Sequence, residues 1–463
     1  MKVSAFKYTV LTWVSGFTMV IFALVPFHAI LTVWLASVYG HYTAFRLWKE
    51  ALLLLSVLGV FYLLITDHKI RLHTLSRRLV WLILAYIGLN ILWGLFAYLQ
   101  HDITPKAIGY ALIINTRFLV FFLVVWAVAI RLSRLRSHWQ KLLLWPAAGV
   151  VIFGLLQIFV LPTDFMRHLG YGPSTIPVFE TINSNATYVR IASTLRGANP
   201  LGAYLIIPIN LLAVLIIRNG RNWKQGIFLA LSIVVLFFTF SRSAWIGAAL
   251  SIAILLIMSH LAAKTIKILA LGLAILIAIL GLSAYLLRDN VHFENLVFHT
   301  QDNSSIKVSS NHARLEAIKY GLKDMRETPL GGGPGYAGPA SYYNNQKTNI
   351  SENYFIQIGQ EVGWLGLSMF LLINVGVGYL LWLRRDDPLA LSLFASLIGI
   401  TFINLLSHAW TDDTLAYVWW GMAGLAMAPD PRIKSIPENS PETKPAAKSK
   451  KDERKTKKST TVR

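Results

Sequence analysis

Long apolar segments separated by short polar connections constrain this chain more than any other feature. About 20 apolar residues in a helix span the hydrocarbon core of a bilayer. Only 14% of the residues are charged and 55% are hydrophobic, whereas a soluble domain carries about a quarter charged residues. We therefore expect an all-α polytopic membrane protein with about twelve transmembrane helices. The predicted spans are about 8–38, 47–65, 79–99, 107–130, 141–161, 200–217, 226–240, 243–259, 266–287, 354–381, 388–407 and 414–428.

Basic residues are concentrated in alternate connections between these spans. The positive-inside rule places such connections in the cytoplasm, and both termini with them. The net charge of +21 is then mostly a topology signal, and we expect no nucleic-acid partner. The residues that carry this pattern are Lys2, Lys7, Lys69, Arg71, Arg77, Arg78, Arg131, Arg134, Arg136, Lys141, Arg218, Arg221, Lys224, Lys264, Lys267, Arg384 and Arg385.

The charge pattern also divides the chain into two parts. Residues 1–429 are predicted to form a transmembrane helical domain, with one large outer loop at 288–353 between the ninth and tenth spans. Residues 430–463 are rich in Lys, Pro, Ser and Glu, which predicts a disordered basic cytoplasmic tail. Within the first span, Pro26 predicts a kink or a separate helix after it.

The seventh and eighth spans are predicted to form a tight helical hairpin. The connections at 218–224 and 260–267 are both basic, so the chain must cross the membrane twice between them and turn near Arg242. Each arm has only about 15–17 residues, or roughly 22–25 Å of helix. This is shorter than a hydrocarbon core of about 30 Å, so we expect Arg242 to lie below the outer membrane surface. A charged residue at that depth requires an anionic partner.

Three arginines, Arg196, Arg242 and Arg314, are predicted at or near span ends on the outer side. Arginine binds phosphate oxygens bidentately and stays charged at any relevant pH, so these residues suit a diphosphate that arrives from the lipid phase. The alternative is that each side chain reaches lipid phosphates or caps a helix. Arg117, within the fourth span, is either a further functional group or half of a structural ion pair.

Fewer acidic residues than arginines are candidates for a functional site. Glu352 lies just before the tenth span, where it could act as a general base or contribute to the helix cap. Glu361 lies deeper in the same span and could pair with an arginine. Asp412 and Asp413 suggest either a metal-binding pair or a short solvated turn. The chain has no cysteine, and it lacks the phosphate-binding loop, the dinucleotide fingerprint and the HExxH zinc motif. We expect no cofactor and no metal.

Several motifs, in their order and topology, resemble the O-antigen ligase and polymerase superfamily of membrane glycosyltransferases. Between them these motifs span roughly residues 190–380. They are residues 195–202 (Leu-Arg-Gly-Ala-Asn-Pro-Leu-Gly), residues 239–243 (Thr-Phe-Ser-Arg-Ser), Arg314 with residues 329–333 (Pro-Leu-Gly-Gly-Gly), residues 352–354 (Glu-Asn-Tyr) and residues 360–366 (Gln-Glu-Val-Gly-Trp-Leu-Gly).

The resemblance implies an enzyme that transfers a glycan from a polyprenyl diphosphate carrier to a hydroxyl acceptor, on the outer face of the inner or plasma membrane. In this superfamily arginines hold the diphosphate, and a histidine before the tenth span activates the acceptor in the ligases. Glu352 occupies the matching position here, so the acceptor need not be lipopolysaccharide core. We expect catalytic roles for Glu352, Arg242 and Arg314, and inversion at the anomeric carbon. We expect substrate binding by Arg196, Asn199, Arg117, His312, Gly333 and Tyr354.

Two other functions fit a chain of this kind. A transporter or flippase of a lipid-linked glycan would have a similar number of spans, together with internal repeats and ionisable groups along a path. We find no repeat, and Glu361 alone among the acidic residues lies in a predicted membrane core. A non-catalytic scaffold of a polysaccharide assembly complex would not depend on the outer arginines.

Overall fold

The computed structural model describes residues 5–100, 102–131, 133–182, 185–220, 222–259, 310–345 and 348–428, and these are mostly helical. The predicted ninth span, residues 288–309 of the outer loop and the tail lie outside them. The helices are α1 (Ala5–Leu24), α2 (His28–Tyr39), α3 (Tyr42–Arg46), α4 (Trp48–Thr66), α5 (His68–Leu75), α6 (Arg78–Leu99), α7 (Pro105–Ala129), α8 (Ser133–Phe159), α9 (Ala198–Asn219), α10 (Trp223–Phe238), α11 (Arg242–Met258), α12 (Ser310–Glu327), α13 (Tyr354–Leu383), α14 (Pro388–Asn404) and α15 (Asp413–Met427).

Within the described residues, seven helical segments are long and apolar enough to cross a membrane, the first of them running through α1 and α2. Three further apolar helices, α10, α11 and α14, are shorter. A polytopic helical membrane protein is therefore confirmed. The count of twelve spans and the cytoplasmic position of both termini stay predictions.

Two breaks in the helical pattern lie where the sequence predicts them. A short 3₁₀ segment, Val25–Phe27, separates α1 from α2 and contains Pro26. Residues Thr239–Ser241 form the tight turn of the α10–α11 hairpin, in which Phe240 has a φ of +49°. The two arms have 16 and 17 residues, which agrees with the predicted short hairpin.

A small antiparallel hairpin departs from the all-helical prediction. Strand β1 (Glu180–Ile182) pairs with β2 (Asn185–Arg190), and Glu180 lies opposite Arg190. The hairpin belongs to the connection between α8 and α9, which the Gly, Pro, Ser and Asn content predicts to be a loop. Its second strand places Arg190 beside the α10–α11 turn, where the backbone N–H of Ile191 donates to the carbonyl oxygen of Phe238 at 3.4 Å.

The helices form two groups, and each group packs around one central helix. Helix α7 packs against α15, α4 and α6, and α9 packs against α10, α11 and α14. Between α7 and α15 lies a cluster of fully buried aromatic side chains. The ring centroids of Phe118 and Trp420 are 5.2 Å apart, and those of Trp410 and Trp419 are 5.3 Å apart. This apolar core holds α7 and α15 together.

Connections with basic residues meet at one end of the bundle. Arg131, at the end of α7, pairs with Asp67 at 2.6 Å. Arg136 in α8 pairs with Asp387 at 3.3 Å, and Arg218 at the end of α9 donates to the carbonyl oxygen of Asp386. The remaining connections meet at the opposite end, which we call the site end because it carries Arg196, Arg242 and Arg314. The structure thus agrees with the alternation that the positive-inside rule predicts, and the outward orientation of the site end stays a prediction.

Candidate active site

Arg242 and Arg314 line one cavity at the site end. This cavity, which we call the arginine cavity, has a volume of about 510 Å³ and is also lined by Arg190, Asn199 and Ser407. Arg242 begins α11, directly after the hairpin turn, and Arg314 lies in the first turns of α12. The structure therefore brings together two of the three arginines that the sequence singles out.

Arg190 is the third arginine of this cavity, and the sequence analysis missed it. Its Nε donates to the carbonyl oxygen of Thr239 at 2.9 Å, and its Nη2 donates to Asn199 Oδ1 at 2.6 Å. Glu180 lies 3.5 Å from its Nη1. Burial and the positive charge of Arg242 lower the pKa of Arg190, whereas Glu180 opposes this shift. Its connection also contains Arg167 and Arg196, so a basic residue in a predicted outer connection does not by itself single out Arg190.

Glu352 lies beside Arg314, which lines the arginine cavity, but Glu352 is not itself one of the residues that line it. Its Oε2 is 3.8 Å from Arg314 Nη2, and 42% of its side chain is exposed. It does not cap α13, because the side chain of Asn353 accepts the backbone N–H groups of Phe355 and Ile356. Glu352 has a φ of +54°, a conformation that is uncommon for a residue with a side chain. Residues in such conformations are enriched at functional sites.

Arg196 lies in a neighbouring cavity and not in the arginine cavity. This second cavity, of about 310 Å³, shares Asn199 and Ser407 with the arginine cavity, and we call it the middle cavity. Arg196 Nε donates to Asp412 Oδ2 at 3.0 Å. The second carboxylate oxygen of Asp412 accepts the backbone N–H of Leu415 at the start of α15, so the aspartate is buried and not part of a solvated turn.

His408 also lines the middle cavity, and no sequence pattern singles it out. Burial and the positive charge of Arg196 lower the pKa of His408 to about 4. The imidazole is therefore neutral at neutral pH and able to accept or donate one hydrogen bond.

Arg117 belongs to a buried group of charged side chains between α4, α7 and α15. It pairs with Glu50 at 3.1 Å and with Asp413, and it donates to the carbonyl oxygen of Thr411 at 2.9 Å. Lys49 pairs with the same two carboxylates, at 3.1 and 3.2 Å. Asp413 is thus an ion-pair partner, and no group of three metal-ligand side chains occurs in the part of the chain that the structure describes. This geometry favours the interpretation of Arg117 as half of a structural ion pair over its interpretation as a functional group.

The glycine-rich run after α12 docks into a break in α13. The backbone N–H groups of Gly332 and Gly333 donate to the carbonyl oxygens of Gln360 and Glu361, each at 2.8 Å. Helix α13 is non-helical at Val362 and Gly363, which leaves those carbonyls free to accept. The run is therefore held in place by the backbone of α13.

Glu361 completes this junction, and it has no arginine partner among the residues that the structure describes. Its Oε1 accepts the backbone N–H of Gly335 at 2.8 Å, and its Oε2 accepts Asn115 Nδ2 at 2.6 Å. The expected ion pair is thus replaced by hydrogen bonds from the glycine-rich run and α7. Gly333 itself lies against Ala97, away from the arginine cavity.

Two further candidates, Tyr354 and His312, differ sharply in exposure. Tyr354 is fully buried, and its ring packs edge-on against Phe370 at 5.6 Å. His312 is exposed in the first turn of α12, two residues before Arg314. Of these two, only His312 is placed where an entering substrate could meet it.

Residues 227–371 match a family model described as O-antigen ligase. The predicted resemblance to the O-antigen ligase and polymerase superfamily is confirmed. No curated protein was found to match the chain. The O-antigen ligase match covers less than half of the chain and contains Arg242, Arg314 and Glu352. Arg190 and Arg196 precede it, so the arginine cavity combines residues of the O-antigen ligase segment with residues outside it.

Addition of one methyl group where the glycine-rich run docks into α13 is expected to destabilise the protein strongly. Gly331 has a φ of +80°, and a Cβ there would lie 2.5 Å from the backbone nitrogen of Gly363 and 2.7 Å from the carbonyl oxygen of Glu361. We expect Gly331→Ala to lower the free energy of unfolding by about 2–4 kcal/mol, since backbone atoms must move and the φ is unfavourable for alanine. Thermal unfolding in detergent measures this loss. Gly88→Ala on α6 is the matched control, because nothing lies within 4 Å of the added carbon. Equal stability of Gly331→Ala and Gly88→Ala would contradict the docking of the glycine-rich run into the break in α13.

Proposed function

We propose that this protein is a membrane glycosyltransferase that moves a glycan from a polyprenyl diphosphate to a hydroxyl acceptor at the site end of the bundle. The observation that carries the proposal is the arginine cavity, in which Arg190, Arg242 and Arg314 surround about 510 Å³ of space. The family match supports the same class of reaction. The position of this site on the outer face of the inner or plasma membrane follows from the charge pattern of the connections.

A diphosphate suits this cavity better than a neutral ligand does. Arg242 is repelled by both Arg190 and Arg314, although Glu180 and Glu352 pair with those two arginines. An anion with several phosphate oxygens reduces this repulsion through charge-assisted hydrogen bonds. The hairpin turn between α10 and α11 puts Arg242 beside two lipid-facing helices, so a polyprenyl chain can stay in the membrane while its diphosphate enters sideways. Exposed apolar side chains on these helices, such as Phe237 and Ile246, are available to that chain.

The reaction that this arrangement supports is a single displacement. The acceptor oxygen forms a bond to the anomeric carbon, the bond from that carbon to the diphosphate oxygen breaks, and the diphosphate leaves with the electron pair. The three arginines stabilise the negative charge that grows on the leaving group. The acceptor proton passes to the carboxylate of Glu352, and the anomeric configuration inverts. Arg196 and His408 face the adjoining space, where the sugar next to the diphosphate would lie.

Glu352→Gln tests the proposed base. The purified protein in liposomes receives a polyprenyl-diphosphate oligosaccharide and a mixture of hydroxyl acceptors, and the release of polyprenyl diphosphate and the new glycan bond are both measured. We expect transfer to fall by about 10²- to 10⁴-fold, because the amide cannot take the proton. Glu327→Gln, at the end of the same outer helix α12, is the control and is expected to keep full activity.

Other outcomes of this experiment separate the alternatives. Full activity of Glu352→Gln would keep the transferase and remove the glutamate from the reaction. Movement of the lipid-linked oligosaccharide across the bilayer by the wild-type protein, with no new glycan bond for any acceptor, would overturn the transferase in favour of a flippase.

A further inference from the structure

Helix α12, which carries Arg314, lies along the first half of α13. Its Gly321 is so close to α13 that an added Cβ would lie 2.5 Å from the nearest side chain of that helix. Further along, the indole N–H of Trp364 donates to the carbonyl oxygen of Met325 at 3.2 Å. Arg314 and Glu352 lie near the other end of this contact, 3.8 Å apart. The distance between these two groups therefore depends on how α12 is placed on α13.

A buried carboxylate on α12, that of Asp324, connects this helix to three other segments. Its Oδ2 accepts Gln360 Nε2 of α13 at 2.7 Å and Asn349 Nδ2 at 3.4 Å. Its Oδ1 accepts the hydroxyl of Tyr336, directly after the glycine-rich run, at 2.9 Å. Three neutral donors from three parts of the chain thus meet on one side chain of α12.

A carboxylate suits this position better than a neutral side chain does. An ionised carboxylate only accepts hydrogen bonds, so several donors can point at it without opposing one another. Hydrogen bonds to a charged acceptor are roughly twice as strong as those between neutral groups. Burial of a carboxylate is costly unless such bonds compensate it, so any shift of α12 that breaks them is unfavourable. Asp324 therefore holds α12 in one position.

The same hydrogen bonds reach the segment that carries Glu352. Asn349 lies three residues before Glu352, and its side-chain oxygen also accepts Gln360 Nε2 at 3.2 Å. On the other side of Glu352, Asn353 Nδ2 donates to the carbonyl oxygen of Leu405 at 3.0 Å. Glu352 is thus held from both directions along the chain, and one of the two attachments leads to α12.

We propose that Asp324 is a positioning residue for the transfer reaction, which fixes α12 relative to the segment before α13 and so keeps Arg314 and Glu352 together. Asp324 is not among the residues that line the arginine cavity, so it acts through those two side chains. A misplacement of reacting groups by about 1 Å lowers a rate by about 100-fold. The inference rests on the proposed function, because that function gives Arg314 and Glu352 their roles.

Spin labels measure the position of α12 directly. The chain has no cysteine, so Lys319→Cys on α12 and Ala249→Cys on α11, both at exposed positions, provide one labelled pair. Helix α11 begins with Arg242, which lines the arginine cavity together with Arg314. Pulsed double electron–electron resonance in liposomes gives the distribution of distances between the labels. We expect one narrow distance with native Asp324, and a broader or shifted distribution with Asp324→Ala.

Transfer is measured in the same liposomes with the polyprenyl-diphosphate oligosaccharide and the mixture of acceptors. We expect Asp324→Ala to lower transfer by about 100-fold in protein that tryptophan fluorescence shows to be folded. Glu327→Ala removes an exposed carboxylate three residues further along α12, and it is expected to change neither the distance nor the transfer. Asn349→Ala changes a half-buried side chain and is expected to broaden the distribution and to lower transfer by about tenfold.

Full transfer by folded Asp324→Ala, or a distance distribution equal to that with native Asp324, would overturn the proposal, as would equal effects of Glu327→Ala. A role in stability alone predicts the native distance in the folded fraction and transfer that recovers at low temperature, and this result also overturns it. Should Asp324→Ala not fold, Asn349→Ala decides by the same two measurements. Absence of transfer by the wild-type protein with every acceptor would count against the proposed function, whereas the distances report on the placement of α12 independently.

Discussion

Arg242→Gln is expected to lower glycan transfer by about 100- to 1,000-fold while the protein stays folded in the membrane. The substitution removes one of three cations from the arginine cavity, and loss of one group that stabilises growing negative charge has a cost of this size. Release of polyprenyl diphosphate in the liposome assay measures it. Arg190→Gln is expected to have a similar effect, because Arg190 lines the same cavity and its hydrogen bonds reach the hairpin turn.

Two variants make this result specific. Arg167→Gln removes an exposed positive charge from the connection between α8 and α9, and it should leave transfer unchanged. Arg196→Gln should have a smaller effect than Arg190→Gln, because Arg196 lies in the middle cavity and is paired with Asp412. Full activity of Arg242→Gln would contradict the role of the arginine cavity in holding the diphosphate. Equal losses of transfer in Arg167→Gln and Arg242→Gln would show that the effect comes from the charge of the protein surface and not from the arginine cavity.

Arg117→Gln is expected to lower the free energy of unfolding by about 3–5 kcal/mol. Without Arg117, Lys49 is shared between Asp413 and Glu50, so one of these two negative charges is no longer balanced within the buried group. Thermal unfolding in detergent, followed by tryptophan fluorescence, measures the change. Arg326→Gln, at the end of α12, is a control in which an exposed arginine is replaced.

The same variant separates the two interpretations of Arg117. A large loss of stability with transfer that recovers at low temperature fits the structural ion pair. Unchanged stability with lost transfer would instead make Arg117 a substrate-binding residue, which is the functional alternative that its position within the predicted fourth span left open.

Local patterns in the sequence were sufficient to predict much of this architecture. Residues 218–267 predicted a hairpin because two basic connections require an even number of crossings, and the structure has its turn at Thr239–Ser241. The break at Pro26 also follows from local sequence. These features depend on residues close together in the chain, where periodicity, charge and proline act directly.

The site was harder to predict because its contacts join distant parts of the chain. Arg196 was grouped with Arg242 and Arg314, but its partner Asp412 lies 216 residues away and directs it to another cavity. Arg190 reaches the arginine cavity through a strand pair that a loop-like composition concealed. The partners of Glu361 come from α7 and the glycine-rich run, and no periodicity shows that the run docks into a helix break.

The short hairpin of α10 and α11 also has a consequence for the surrounding lipid. Helices of 16 and 17 residues are about 24–26 Å long, several ångströms less than a typical hydrocarbon core. A bilayer adapts to such hydrophobic mismatch by thinning beside the protein. The headgroup layer would then dip next to Arg242, and the carrier's charged end would need a shorter descent through hydrocarbon to reach the cavity. In this view, local deformation of the membrane forms part of the entry route.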